Sequence, residues 1–184
     1  NNRLEDLPQG ISGEAPDDIA LWQGAPVWTD GARIMSEAGE QLKLDSTATA
    51  LAANGRLLAV ATAEQGLRLF DSTLKDVTPK FSAPVRCVTA LAFAPDETLW
   101  FATGSANNSA ADWRRDLMEM NRSGSLGRVG VTDGKVEVTR TGLGWPAGIA
   151  IRRSGAIVVA EAWASHLVEF DKNGRGTGPV PLDE

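Results

Sequence analysis

The sequence predicts an all-β chain of repeated small antiparallel sheets, and three observations predict it. A phrase recurs four times, with a small or acidic pair, an aliphatic and an alanine, and then an apolar run after a turn. The copies are Asp17-Asp18-Ile19-Ala20 with Val27-Trp28-Thr29-Asp30, Thr49-Ala50-Leu51-Ala52 with Leu58–Thr62, Thr89-Ala90-Leu91-Ala92 with Leu99–Thr103, and Ala147-Gly148-Ile149-Ala150 with Ile157–Glu161. They start 32, 40 and 58 residues apart. Turn chemistry separates the halves of three copies: Asn54-Gly55, Pro95-Asp96-Glu97 and Ser154-Gly155. Repeats of about 40 residues, each made of short strands, are the signature of propeller blades, which gather their chemistry at the mouth of a central channel.

Within each copy the first strand covers 19–21, 51–53, 91–94 or 149–151. The Asn54-Gly55 pair predicts a two-residue hairpin with positive φ at both positions. The apolar run is the second strand, and its continuity predicts burial on both faces. Third strands fall at 32–35, 67–70, 126–131 and 167–170, two of them closing on Phe-Asp at Asp71 and Asp171. A fourth, outer strand is predicted at 135–139 after Asp133-Gly134, and residues 1–15 form an arm ahead of the first copy. The long spacing before the fourth copy holds an insertion, 104–124. There Ser109 and Asp112 fit a capping box, and Trp113, Leu117 and Met120 share one helical face, predicting a short helix at about 110–120 over the channel mouth. The whole of 1–184 reads as one propeller domain with about four blades. An open ring leaves blade edges unprotected, so remaining blades or a second chain are expected to close it.

Composition narrows the function. The chain has 42% hydrophobic and 23% charged residues and a net charge of −6, as expected of a soluble globular domain. Basic residues do not cluster, which argues against nucleic acid, and the acidic balance argues against anionic membrane. No apolar run is long enough for membrane insertion. One cysteine, Cys87, excludes an internal disulfide and leaves the compartment open, and one histidine and one cysteine exclude a zinc site. No nucleophile elbow or phosphate loop is present.

The candidate residues follow from the repeat. Asp17 and Asp18 precede the first inner strand, as channel ligand or base, or as turn residues. Glu161 ends the most apolar strand, as an acid–base group or as an acceptor for loop amides. Its repeat equivalents Asp30, Thr62 and Thr103 are polar, which predicts a ring of hydrogen-bonding residues near one face. Trp145 and Trp163 flank the fourth copy and either stack on a ring-shaped ligand or fill space between blades. Trp28 and Trp100 are core. His166, early in an outer strand, lies away from the axis. Arg114 and Arg115 either grip an anion or form solvated surface.

The stretch 101–171 resembles the strictosidine synthase-like family of six-bladed propellers, related to the gluconolactonase and paraoxonase propellers and to NHL-like repeats. The likeness rests on Ala102-Thr103-Gly104-Ser105, Asp112-Trp113-Arg114-Arg115-Asp116-Leu117, Ser123-Gly124-Ser125-Leu126, Gly142-Leu143-Gly144-Trp145-Pro146-Ala147-Gly148-Ile149-Ala150 and Val158-Val159-Ala160-Glu161-Ala162. The resemblance implies six blades and a ligand site at one channel end, lined by Asp18, Thr89, Thr103, Trp113, Trp145, Ala147 and Trp163. It also implies a hydrolase acting on a lactone or ester, or a lyase, with Asp17 and Glu161 as the catalytic pair. Related lactonases hold Ca²⁺ on oxygen donors. Here Asp17 stands at the implied Glu position, while Thr89 and Ala147 replace implied Asn ligands. A propeller that binds a small molecule or protein without catalysis is the other expectation.

Overall fold

Four antiparallel sheets follow one another in the computed structural model, which describes residues 18–108 and 113–180, without the side chains of Trp113 and Leu117. The first sheet is β1 (Ile19–Trp22), β2 (Ala25–Asp30), β3 (Arg33–Ser36) and β4 (Gly39–Lys43). The second is β5 (Ala48–Ala53), β6 (Leu58–Thr62) and β7 (Gly66–Phe70). The third is β8 (Val88–Phe93), β9 (Leu99–Thr103), β10 (Gly124–Val129) and β11 (Val136–Leu143), with helix α1 (Trp113–Glu119) between β9 and β10. The fourth is β12 (Pro146–Ile151), β13 (Ile157–Glu161), β14 (His166–Phe170) and β15 (Gly176–Pro179). Each sheet is a meander, so every neighbour in space is a neighbour in sequence. The first strands β1, β5, β8 and β12 pack in that order, each against the next.

The core is three layers between sheets. Trp22, Val27, Ile34 and Leu44 of the first sheet meet Leu51, Leu58, Val60 and Phe70 of the second. Ala59, Ala61 and Leu69, from the opposite face of that second sheet, meet Leu91, Leu99 and Phe101 of the third. Trp100, Leu126 and Leu143 then meet Ile157, Val159 and Phe170 of the fourth. Strand alternation explains this: odd and even residues of β6 and β9 point to opposite faces, and both faces are covered by a neighbouring sheet. All five residues of β6 and all five of β9 are buried. Stacking of this kind, with alanine where sheets approach closely, makes the chain a β-propeller-like arc.

Burial on both faces holds only for the two central sheets. In β2 and β13 buried and half-buried residues alternate, because no further described sheet packs on the outer face of an end sheet. Trp28 is accordingly half-buried, whereas Trp100 is core. On β1, Ile19 and Leu21 are 62% and 70% exposed.

Local chemistry differs from expectation at several turns. Asn54-Gly55 is not a positive-φ hairpin. The Asn54 side chain instead accepts from the amides of Arg56 and Leu57, and its own N–H donates to Leu57 O, closing a four-residue loop. The Phe-Asp endings are one device used twice. Asp71 Oδ1 accepts from the amides of Thr73 and Lys75, and Asp171 Oδ1 from those of Asn173 and Arg175. After the second copy β15 forms. After the first, Thr78 Oγ1 takes the Leu69 amide, Pro79 lacks a donor, and only a Phe70–Asp76 bridge remains. Outer strands β4 and β15 were not foreseen, and β11 runs longer than 135–139. The expected cap Ser109–Asp112 lies outside the described residues. Met120 does not join an apolar face: it is 71% exposed, with φ 48, and ends the helix in the left-handed conformation.

Candidate functional site

The inner strands carry a repeated irregularity at one end. Register slips between Ala48 and Ala50, Val88 and Ala90, and Pro146 and Gly148, leaving Thr49, Thr89 and Ala147 as the bulged residues. A bulge bends its strand and re-aims one side chain, and such features collect at rims and functional sites. The same end is wired by equivalent backbone bonds: Ala63 N to Thr47 O, Gly104 N to Cys87 O, and Ala162 N to Trp145 O.

The hub-end side chains have distinct partners. Asp18 Oδ1 accepts from the Ile19 amide at 2.8 Å and Oδ2 from the Leu51 amide at 2.7 Å, so this carboxylate ties the first inner strand to the second. Thr89 Oγ1 donates to Pro146 O and likewise ties the third to the fourth. Ala147 is exposed and brings no donor atom. Thr49 Oγ1, one repeat before Thr89, is buried without a hydrogen-bond partner. Asp17 lies outside the described residues, and so does the Trp113 side chain.

The polar residues ending the second strands each turn to their own third strand. Asp30 pairs with Arg33, Thr62 Oγ1 donates to Gly66 O, Thr103 Oγ1 meets Ser125 Oγ at 2.7 Å, and Glu161 meets His166. These are cross-strand partners in register. The repeat therefore builds four strand-end clasps directed away from the inner strands.

The fourth clasp is the most elaborate. The Glu161 side chain is 3% exposed. Its Oε1 accepts from the Gly144 amide at 2.6 Å and from Arg122 Nη2 at 3.3 Å, and Oε2 faces His166 Nε2 at 3.0 Å. His166 Nδ1 lies 3.1 Å from Ala164 O. Both ring nitrogens thus face acceptors. Arg122 Nε also donates to Gly142 O, fastening the chain that leaves α1 to the third and fourth sheets.

Trp145 and Trp163 stack beside this clasp, ring centroids 5.5 Å apart. Trp145 has φ 49, as Cys87 has φ 50 at the equivalent place before β8, a conformation that costs L-residues on the order of 1 kcal/mol or more. The Trp145 ring lies where a Cβ on Gly104 would be, 2.9 Å away, so only glycine fits there. Trp163 Nε1 donates to Asp116 Oδ2 at 3.3 Å, and Asn108 Nδ2 to Asp116 Oδ1 at 3.1 Å. Asp116 is fully buried and pins α1 over the two sheets. Burial pushes the Cys87 thiol above its ordinary value, the amides of Ser105 and Gly104 oppose this, and Asp116 adds to it.

The roles of four participants escaped the sequence reading. Thr49 occupies the repeat position of Thr89, which was a sufficient signal. His166 follows Glu161 across a four-residue turn that sets them opposite. Asp116 lay inside the quoted insertion motif without a role. Nothing local marks Arg122, which reaches Glu161 from 39 residues away.

No family model matches the chain, and no curated protein matches it. Solved structures do. A chain of a nidogen/laminin complex is similar with TM-score 0.65 and 13% identity, over 86% of this chain and 62% of that one. The computationally designed Ika4 protein is similar with TM-score 0.57 and 10% identity, over 89% and 94%. The extracellular domain of the hybrid two component system BT4673 from B. thetaiotaomicron gives 0.59 and 10%, over 85% and 21%. The chain therefore spans less than two thirds of two of these three neighbours. At such identities the likeness shows the fold, a β-propeller-like all-β architecture. No helix among the described residues is long and apolar enough to cross a membrane.

Proposed function

We propose that the chain supplies four blades of a six-bladed, strictosidine synthase-like propeller and binds a small organic molecule at the hub end carrying Asp18, Thr49 and Thr89. The observation that carries this reading is the Thr49 hydroxyl, buried and unpartnered at a bulge repeated in three blades. Leaving a buried hydroxyl unpaired costs about 1–3 kcal/mol, which a ligand oxygen or nitrogen offsets. The stacked Trp145–Trp163 pair beneath α1 supplies an aromatic wall. Exposed Ile19 and Leu21 on β1 support closure of the ring by further blades or by a second chain.

Between binding and turnover, the geometry favours binding. Glu161, His166 and the Thr89 hydroxyl are engaged with protein groups, and Ala147 offers no donor. The Ca²⁺ set implied by the lactonase likeness does not fit these residues, and among the described residues no three His, Cys, Asp or Glu side chains form a metal-sized cluster. A second reading, hydrolysis of a lactone or ester, draws on the Glu161–His166–Arg122 cluster with Asp17 as a further carboxylate.

A thermal-shift screen of organic molecules, a lactone and ester panel and Ca²⁺ calorimetry test the proposal. Binding predicts saturable shifts that vanish in Thr49→Val or Thr89→Val, with no turnover. Stoichiometric Ca²⁺ and turnover abolished by Asp17→Ala support hydrolysis instead. Shifts untouched by both threonine variants overturn the hub site.

A further inference from the structure

A cavity lies in the cleft between the third and fourth sheets. It encloses about 680 Å³ and is lined by β11, β14 and β15 together with Arg122 and Glu161, with no residue from an inner strand. Its floor is apolar at Val168 and Pro179, cross-strand partners on β14 and β15, with Leu143 and Phe170 buried in the core on which Val168 packs. Its rim carries two arginines. Arg122 and His166 already hold Glu161, and Arg140, paired through its strand with Leu126, stands on the wall with its guanidinium unpaired among the described residues. Glu161 is the one acidic residue on the wall, and its two oxygens are occupied. A chain of net charge −6 thus keeps a locally positive cleft.

We propose that this cleft binds a small organic carboxylate, its apolar body on Val168 and Pro179 and its carboxylate on Arg140. The volume is in the range of small-molecule sites, and an apolar lining with a few placed polar groups is their usual make-up. An arginine fork with no competing partner matches a carboxylate in geometry and charge. The wide Gly176-Thr177-Gly178 edge leaves room for a ring, since neither glycine carries a side chain into the space. This site is independent of the hub reading, because it uses none of Asp18, Thr49 or Thr89.

The test is ligand titration by NMR on the full chain, with benzoate and its neutral counterpart benzamide as probes. The expected result is saturable benzoate binding, with benzamide weaker by about ten-fold or more. Arg140→Gln, an exposed change on an edge strand, is expected to weaken benzoate by about ten-fold and leave benzamide unchanged. Arg140→Lys is expected to recover part of the loss, and Val168→Phe to block both probes by filling the floor. Absence of saturable benzoate binding, equal affinity for benzamide, or benzoate binding unaffected by Arg140→Gln overturns the assignment. Thr49→Val must leave benzoate affinity intact; a loss there would place the probe at the hub and also overturn it.

Discussion

Replacing Glu161 separates a structural clasp from a group held ready for chemistry. Glu161→Ala strips the acceptor from the buried Gly144 amide, now 2.6 Å away, and leaves that N–H unpaired at a cost of about 1–3 kcal/mol. The pair with Arg122 adds only about 0–1 kcal/mol, because the arginine is 60% exposed. The expected loss is about 1–4 kcal/mol. Glu161→Gln behaves differently. Its carbonyl oxygen still accepts from Gly144, and its amide donates to Nε2 of a neutral His166, whose Nδ1–H donates to Ala164 O. Every hydrogen bond survives without charge, so the expected loss is under about 1 kcal/mol. Urea unfolding reads both variants: with an unchanged slope, the alanine midpoint falls by about 1 M and the glutamine midpoint stays near the parent. A glutamine variant as unstable as alanine, or an alanine variant within about 0.5 kcal/mol of the parent, would refute the clasp.

Three further outcomes follow from the same geometry. A Cβ at Gly127 would meet Phe101 Cζ at 2.4 Å and Glu137 O at 2.8 Å, so Gly127→Ala is expected to destabilise by about 1–3 kcal/mol in the same urea assay. The Cys87 thiol, buried and held above 9.0, is expected to react with an aromatic disulfide reagent only as fast as the chain opens. Because its folded value is raised, its contribution to stability is whole below pH 9.0 and fades as pH climbs past it; Cys87→Ser removes that fade. Asp71 is lowered from 3.8 by the Thr73 hydroxyl and amide, and Asp171 by the Arg175 amide. Depressed carboxylates stabilise above pH 3.8 and stop doing so as pH falls through their folded values. Asp71→Asn and Asp171→Asn should therefore each shallow the acid limb of a pH–stability curve.

The sequence by itself determined the four sheets, because strand alternation and the spacing of turns are local properties. The four second strands lie where their apolar runs predicted, at Leu58–Thr62, Leu99–Thr103 and Ile157–Glu161 to the residue. Glycine-containing turns were harder: whether Asn54 closes its loop by backbone φ or by its side chain depends on which neighbour the carboxamide meets. Outer strands such as β15, with the sequence Gly-Thr-Gly-Pro, have no apolar pattern to read, since pairing with β14 alone makes them strands. Candidate site residues were legible as types and positions, and their directions were not. Glu161 and Thr103 were expected at a shared polar ring, but register set each against its own third strand. Arg122 joined Glu161 only because the insertion folds back over the fourth sheet. The sequence states what each side chain can do, and the packing of one sheet on the next decides which groups lie within hydrogen-bond reach, because a buried polar atom can pair only with what the neighbouring sheet presents, and where it presents nothing, as at Thr49, the atom stays unpaired.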